Sequence, residues 1–549
     1  MKVVIVGGVA GGMSAATRLR RLREDAEIIV FEQGPHVSYA NCGLPYHVGE
    51  VIPEESDLLL QTPQSLKNRF NLDVRVNSRV TKLNPETKTV EVKNLETGEQ
   101  YVESYDSLIL STGAKPRMLD VPGIERAHVL RDVPDAIRIK ELVDQKKISS
   151  AAIIGAGFIG IELAENLQHR GIATTVIALR DTILTQFDPE MIEPMQALLV
   201  KHGITLALNS ETTEVRANSL VLKDGREISA DLVVMAIGVV ADHSLAVNAG
   251  LKIGEAGGIA VDGHMRTSNP DIYAVGDAAE KTSAFAQEGQ MITLANLANR
   301  HGRLVADVIA GEKVAARPSI GTGIIGAYGM AAAVTGLTEA MAQRLGIRHQ
   351  VIHLHPGSHA GYYPGAERVS LKVLFDPETG KLLGAQGIGF DGVDKRIDVI
   401  ATAIYAGLRI DDLMNLELAY APAFGSAKDA INQTGYVGNN VLEGKTPTIQ
   451  WYELAKAQAA GAVVVDVRTE MENQNGAIPN ARLIPIDSLR EHVDELAGKD
   501  VIVHCAVGQR GHTASQILRS HGIKVRNLDG GYTTWRSGMD AQERANSGR

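Results

Sequence analysis

The chain has 549 residues, 55 of them glycine and two of them cysteine; that length exceeds what one hydrophobic core serves and implies three or four domains. Acidic residues outnumber basic ones, 65 to 55, for a formal net charge of −10. This argues against a general nucleic-acid or anionic-membrane surface and leaves room for a local basic pocket that takes phosphates.

The chain opens on Met1-Lys2-Val3-Val4-Ile5-Val6 and runs straight into glycines, with neither the apolar core nor the cleavage site of a signal peptide. No run approaches the ~18 apolar residues of a membrane span. A soluble, intracellular, cytoplasmic protein is the expectation. Cys42 and Cys505 cannot staple a chain of this size, and such a compartment disfavours a structural disulfide. They are either inert buried thiols or two reactive ones.

A β-run, Val3 to Val6, leads into Gly7-Gly8-Val9-Ala10-Gly11-Gly12, a helical stretch from Met13 to Arg23, and a second β-run from Glu27 to Phe31 that ends at Glu32. This strand, glycine loop, helix, strand, acid order predicts a dinucleotide-binding unit. Gly7, Gly8, Ala10 and Gly11 would cradle a pyrophosphate at the helix N-terminus, and Glu32 would accept from a ribose. In strict G-x-G-x-x-G register the second glycine is replaced by Val9.

A second copy follows. A strand from Ala151 to Ile154 precedes the full fingerprint Gly155-Ala156-Gly157-Phe158-Ile159-Gly160, with a helix from Ile161 to Arg170 and a strand from Thr174 to Leu179. Ala178 stands where an acid would mark NAD, and Arg180 lies just beyond, so NADH and NADPH both stay open. Gly155, Gly157, Phe158, Ile159, Gly160 and Arg180 are the candidate NAD(P)-binding set. Two fingerprints in one chain point to two different dinucleotides and to electron transfer between them.

Ser111-Thr112-Gly113 follows the strand Ser107 to Leu110, and Thr267 to Asp277 places an acid directly after a strand and a glycine. These segments resemble the later flavin motifs of the flavoprotein disulfide reductases with two dinucleotide domains. The resemblance implies FAD held by Ser111, Thr112, Gly113 and Asp277, the last on the ribitol.

Cys42 sits in Ser38-Tyr39-Ala40-Asn41-Cys42-Gly43-Leu44-Pro45-Tyr46. A thiol ahead of a helix N-terminus that faces the flavin is expected to have its pKa lowered. No second cysteine stands nearby in C-x-x-x-x-C spacing, so this thiol must cycle through a mixed disulfide, a persulfide or a sulfenic acid. The segment closely resembles the coenzyme A-disulfide reductases, a branch of that family with one active-site cysteine. The likeness implies coenzyme A contacts at Ser14, Arg18, Arg21, Ser38, Asn41 and Lys428. Arg18, Arg20, Arg21 and Arg23 would form a cationic face on the first helix.

His359-Ala360-Gly361-Tyr362-Tyr363-Pro364-Gly365 and Leu418 to Asp429 carry the same resemblance. It implies that Tyr362 (with Tyr363 in reserve) and Tyr420 reach the active-site sulfur from a partner subunit in a homodimer. It also places Asn299 near the flavin.

From about Pro318 the texture changes. Strand-like runs (His349 to His355, Val369 to Phe375, Leu382 to Ile388) and a helix (Lys395 to Ala406) predict an α+β interface domain. A polar break at Leu442 to Thr448 leads into a last segment. There Ala462 to Val467 and Val501 to His504 are strands, and Cys505-Ala506-Val507-Gly508-Gln509-Arg510 opens a helix from His512 to Ser520. A cysteine after a strand, in a loop of successive backbone N–H groups, is an anion nest that favours a thiolate or persulfide. With Asp466-Val467-Arg468 and Leu528 to Trp535, this segment strongly resembles the rhodanese domain. Its six-residue loop favours sulfur transfer over phosphatase chemistry. The polar tail, Asp540 to Arg549, is expected to fray.

The expected class is α/β: two Rossmann-like domains for FAD and NAD(P), an α+β dimerisation domain and a C-terminal α/β rhodanese domain. The expected boundaries are 1–112 with 245–318, 113–244, 319–442 and 449–540. The combined resemblance, to coenzyme A-disulfide reductase–rhodanese fusions and NAD(P)H-dependent persulfide reductases, implies a catalytic set of Cys42, Cys505, Tyr362 and Tyr420. Electrons would pass from NAD(P)H through FAD to sulfur on Cys42, with coenzyme A as substrate or sulfur carrier. None of the motifs calls for a metal. Plain coenzyme A-disulfide reduction, NADH oxidase or peroxidase chemistry, and a sulfide sensor are the competing readings.

Overall fold

The computed structural model describes residues 1–286 and 288–547. The chain forms two compact units, Met1–Ile177 with Glu211–Ile320, and Ala178–Ser210 with Gly321–Arg549.

The first unit holds two parallel sheets. In one, the strands run in the order Ile272–Ala274, Ser107–Leu110, Lys2–Val6, Glu27–Phe31, Asp73–Arg75. Val3 to Val6 form a continuous apolar run, not an alternating one, because the strand is covered on both faces: Val3, Ile5 and Ile109 pack into one core, Val4, Leu108 and Leu110 into another. The other sheet contains Ala173–Ile177, Ser150–Ile154, Leu232–Met235 and His128–Val129 in that order, all parallel.

The helix predicted from Met13 starts three residues earlier, at Ala10, and ends at Leu22. Its first turn therefore contains Gly11 and Gly12, poor helix formers kept there by close packing. A Cβ on Gly12 would lie 1.9 Å from the Gly7 carbonyl oxygen. The second fingerprint repeats the arrangement, with Gly160 at 2.1 Å from the Gly155 oxygen, and both leading glycines adopt positive φ, +105° and +114°. Gly12 is thus the third glycine of the first motif, in a register that Val9 disguises.

In the second unit, an antiparallel sheet runs Gly323–Ala327, Met330–Gly336, Leu382–Gly389, Val369–Phe375, Gln350–Leu354. The helix Val393–Ala406 buries Ile397 and Ile400, and Val393 and Ile397 meet the sheet at Gly387. A parallel sheet follows, in the order Thr448–Ile449, Lys524–Leu528, Asp500–His504, Val463–Asp466, Arg482–Leu483. It too has a core on each face, around Val465, Val503 and Leu518 and around Trp451, Ile502 and Trp535.

A buried charge cluster lies between these sheets. The Lys372 ammonium donates to Glu190 and, at 2.9 and 2.7 Å, pairs with Asp188 and Glu339. Among the described residues these three carboxylates are grouped closely enough to hold a metal ion. Lys372 already supplies their positive charge. Beside them, His353 bridges Glu190 and Asp529.

The tail corrects an expectation. Gly531–Ser547 is one helix, so the polar end does not fray at Asp540. Arg544 donates to the Glu193 carboxylate at 2.7 Å, and Asn209 donates to the Ala545 carbonyl at 2.8 Å. Among the described residues no helix is long and apolar enough to cross a membrane.

Candidate active site

The two glycine loops have the shape a dinucleotide requires. Glu32, at the end of its strand, accepts from the Gly8 and Gly34 amides, each at 2.8 Å. Burial pushes its carboxyl up, against the pull of those amides. Ser111 donates its amide to Val6, the Thr112 hydroxyl reaches the Asp242 carbonyl at 2.6 Å, and Gly113 turns with φ +69°. Asp277 lies in a one-turn helix, Gly276–Ala278, and burial raises its pKa. Nearby Lys281 is buried, donates to the Gly276 and Ala279 carbonyls and is pushed down to about 8 by burial. His301 is buried with an unpartnered Nδ1. Uncommitted buried polar atoms and loops closed by Gly7 and Gly12 fit a flavin dinucleotide. In the second loop, a Cβ at Gly157 would meet nothing within 4 Å, the open approach a pyrophosphate needs. Gly155, Phe158, Ile159 and Gly160 belong to this loop, with Phe158 half-buried and Ile159 exposed. Arg180 is exposed in the second unit.

Cys42 is exposed, within the one-turn helix Asn41–Gly43, and its thiol lies 3.8 Å from the Asn41 side-chain oxygen. The loop is tied down by the Ser38 amide on the Gly8 carbonyl at 2.8 Å, with Ser38 itself at φ +50°. The expected depression of this thiol is absent. Partial burial pushes it up, and Glu162 and Asp277 push it further. The physical reason is that the following helix, Leu44–Val48, has five residues and a weak dipole, while two carboxylates face the sulfur. Glu162, which sequence reasoning missed, accepts from the Tyr46 hydroxyl at 3.2 Å and is pushed up to about 7 by burial.

The cationic face of the first helix is smaller than expected. Arg20 is 4% exposed and donates to the Phe70, Glu24 and Asn71 carbonyls, so it clamps the fold and meets no solvent. Arg23 caps the helix and pairs with Asp25. Arg18, paired with Asp307 at 2.6 Å, and Arg21, stacked 5.0 Å over Phe70, remain. Ser14 donates to Asn299 at 2.5 Å, which brings those two candidates together.

In the second unit the structure joins the two tyrosine segments. The Tyr362 and Tyr420 hydroxyls are 3.2 Å apart, and both side chains are exposed, as is Tyr363. The bond to Tyr420 raises the Tyr362 pKa. Buried Arg396 holds both segments: it donates to the Ser358 carbonyl at 2.7 Å and to Asp429 at 2.9 Å. Lys428 is exposed beside Asp429, which caps the helix Ala430–Leu442.

Cys505 is fully buried at the end of its strand. Its carbonyl accepts from Tyr532 at 2.8 Å and that of Ala506 from Thr533 at 2.9 Å, which fixes the loop through Val507 to Gly508 (φ +91°). The helix begins at Gln509, so the amides of Gln509, Arg510 and Gly511 lack intrahelical acceptors and face the nest. Asp466 and Arg468 pair bidentately below, with Arg468 stacked 4.2 Å from the Tyr532 ring centroid. Arg510 donates through both terminal nitrogens to Glu472, at 2.8 and 2.6 Å, and Glu472 also went unforeseen.

Comparison with known proteins agrees with this geometry. Residues 1–302 match the pyridine nucleotide-disulphide oxidoreductase family, residues 328–430 its dimerisation domain and residues 450–538 the rhodanese-like domain. A coenzyme A disulfide reductase of Staphylococcus aureus is 33% identical over 79% of this chain and 99% of its own length. Reduced CoADR-RHD of Bacillus anthracis is 44% identical, with TM-score 0.97 over 99% of this chain and 98% of that one. An NAD-dependent persulfide reductase from A. fulgidus is 35% identical, with TM-score 0.91 over 97% and 100%. The chain belongs to the pyridine nucleotide-disulphide oxidoreductases, on the side of their coenzyme A disulfide reductases, and carries a rhodanese-like domain at its C-terminal end.

Proposed function

We propose that the chain is an FAD- and NAD(P)H-dependent reductase of persulfide sulfur, with coenzyme A persulfide, polysulfide or a coenzyme A disulfide as the substrate class and sulfide as the product of persulfide reduction. When bound, the flavin and nicotinamide supply the electrons. Cys42 takes the sulfur, and Cys505 accepts or delivers sulfane sulfur as a persulfide. Tyr362 and Tyr420, contributed across a homodimer, assist the leaving sulfur. The hydrogen-bonded pair of exposed tyrosines supports that role. Ser14, Arg18, Arg21, Ser38, Asn41 and Lys428 contact coenzyme A in this reading.

Burial, Glu162 and Asp277 all disfavour the Cys42 thiolate, so in this reading its stabilising partner is the bound flavin and not a side chain of the protein. We further propose the domain division 1–112 with 245–318 for FAD, 113–244 for NAD(P), 319–442 for dimerisation and 449–540 for the rhodanese fold.

The observation that carries the reading is Cys505 at the base of a loop whose amides converge, in a chain with one other thiol. Cys505→Ser tests it: sulfide release from persulfides should fall about tenfold or more while coenzyme A disulfide reduction is spared. Equal activity of variant and parent on persulfides overturns the relay. Plain coenzyme A disulfide reduction is the second reading, favoured by relatives whose whole length matches 79% of this chain.

A further inference from the structure

The side chains around the Cys505 nest are balanced in charge. Asp466 is closed on Arg468, and both are buried. His504 is buried, with neither ring nitrogen hydrogen-bonded to a side chain and Nδ1 3.9 Å from Asp466, and burial pushes it down to about 4, so it is neutral at working pH. Arg510, next to the thiol, is the cation that would meet an incoming anion. Both of its terminal nitrogens are taken by Glu472. That carboxylate is fixed in turn by the Thr469 amide at 3.0 Å and hydroxyl at 3.1 Å, in a capping box on the helix Glu470–Gln474. Arg510 and Glu472 are each about one-third exposed, so solvent reaches their pair.

The amides of the loop suffice for one negative charge on sulfur. A dianionic donor brings a second charge, and the nearest cation for it, Arg510, already carries the counter-charge of Glu472. At its sulfane end an organic persulfide carries at most one, on the sulfur that the amides receive, and any further charge lies farther along R, away from the nest.

We propose that Glu472 determines the specificity of the sulfur-accepting step, selecting organic persulfides over inorganic dianions such as thiosulfate as donors to Cys505. The inference rests on the sulfur-relay reading and names its donor class. In the step, the Cys505 thiolate attacks the outer sulfur of R–S–SH. A new S–S bond forms, the original S–S bond breaks, and R–S⁻ leaves with its electron pair, giving Cys505–S–SH. With thiosulfate the same attack would release sulfite. Neither route draws on an external oxidant or reductant.

The test is the loading of Cys505 in the purified full-length protein, without nicotinamide, followed by peptide mass spectrometry. Glutathione persulfide and thiosulfate are supplied separately. The parent should load from the persulfide faster. Glu472→Gln and Glu472→Ala should raise the thiosulfate-to-persulfide rate ratio about tenfold, while Glu472→Asp, which keeps the charge, should leave the ratio near that of the parent. Equal parental rates with the two donors overturn the proposal. So does an unchanged ratio in both neutral variants, or a loss of both rates in proportion, which marks a purely structural role. A parent that loads Cys505 from neither donor overturns the relay reading instead.

Discussion

His353 and Asp529 lie 2.7 Å apart, nitrogen to carboxylate oxygen, and both are buried. One belongs to the antiparallel sheet, and the other directly precedes the Gly530-Gly531 turn against the Cys505 loop. The second ring nitrogen faces Glu190 at 3.2 Å. Two carboxylates outweigh burial and the repulsion of Lys372, and hold the imidazolium up to about 9. A raised pKa means that its stabilising share is complete below the ordinary value of about 6.5 and fades as pH climbs through about 9. His301, His355 and His504 act in the opposite sense. Burial pushes them down to about 4, 3 and 4, so the folded state loses stability as pH falls below about 6.5. The thermal midpoint should therefore peak near pH 6.5, falling as pH rises from there to about 9 and again as pH drops below it. His353→Gln should remove much of the alkaline drop, and a parental midpoint that climbs steadily through pH 9 would contradict the assignment.

Arg396 is a positioning residue for the tyrosine pair. Replacing it with Met releases the Ser358 carbonyl and strands the buried Asp429 carboxylate, a loss of roughly 3–5 kcal/mol in stability. Arg396→Lys keeps one charge but not the fork. Turnover on coenzyme A disulfide should fall about 10–100-fold in the lysine variant, with flavin content unchanged, because the hydroxyls drift from their 3.2 Å contact. Full turnover in a folded Arg396→Lys protein would separate the clamp from catalysis.

Glu162 should tune Cys42 in a pH-dependent way. Its carboxyl titrates near 7, and once ionised it opposes the thiolate. Glu162→Gln should speed Cys42 alkylation severalfold at about pH 8 and change it little near pH 6, where the parental carboxyl is already protonated. Iodoacetamide kinetics with peptide mapping would read this directly. The same acceleration at both pH values would show a steric effect instead.

What the sequence disclosed and what it withheld divide along range. The strands Glu27–Phe31, Ser107–Leu110 and Val369–Phe375 coincide with their predicted bounds, since each is an apolar run whose burial is written locally. Gly155 to Gly160 is readable because its spacing is regular, whereas in the first loop Val9 stands in the second glycine's place and the need for Gly12 shows only in its close approach to the Gly7 carbonyl. Arg20 looked like its neighbours on the first helix. Its inward turn depends on carbonyls of Phe70 and Asn71, some fifty residues on. The tail helix owes its order to Glu193, 351 positions away from Arg544. Tyr362 and Tyr420 were picked out by family likeness, and no periodicity could have paired them. Glu472 and Glu162 carried no signal except an acid near a motif.

Lys372 has one more consequence. Three carboxylates from separate stretches of chain, drawn into one dry pocket, ordinarily require a divalent ion that the cell must supply. Here the counter-ion is encoded: it arrives with translation, cannot be chelated or exchanged, and is present in every copy. The joint between the two sheets thereby carries its own counter-charge and needs no metal supply.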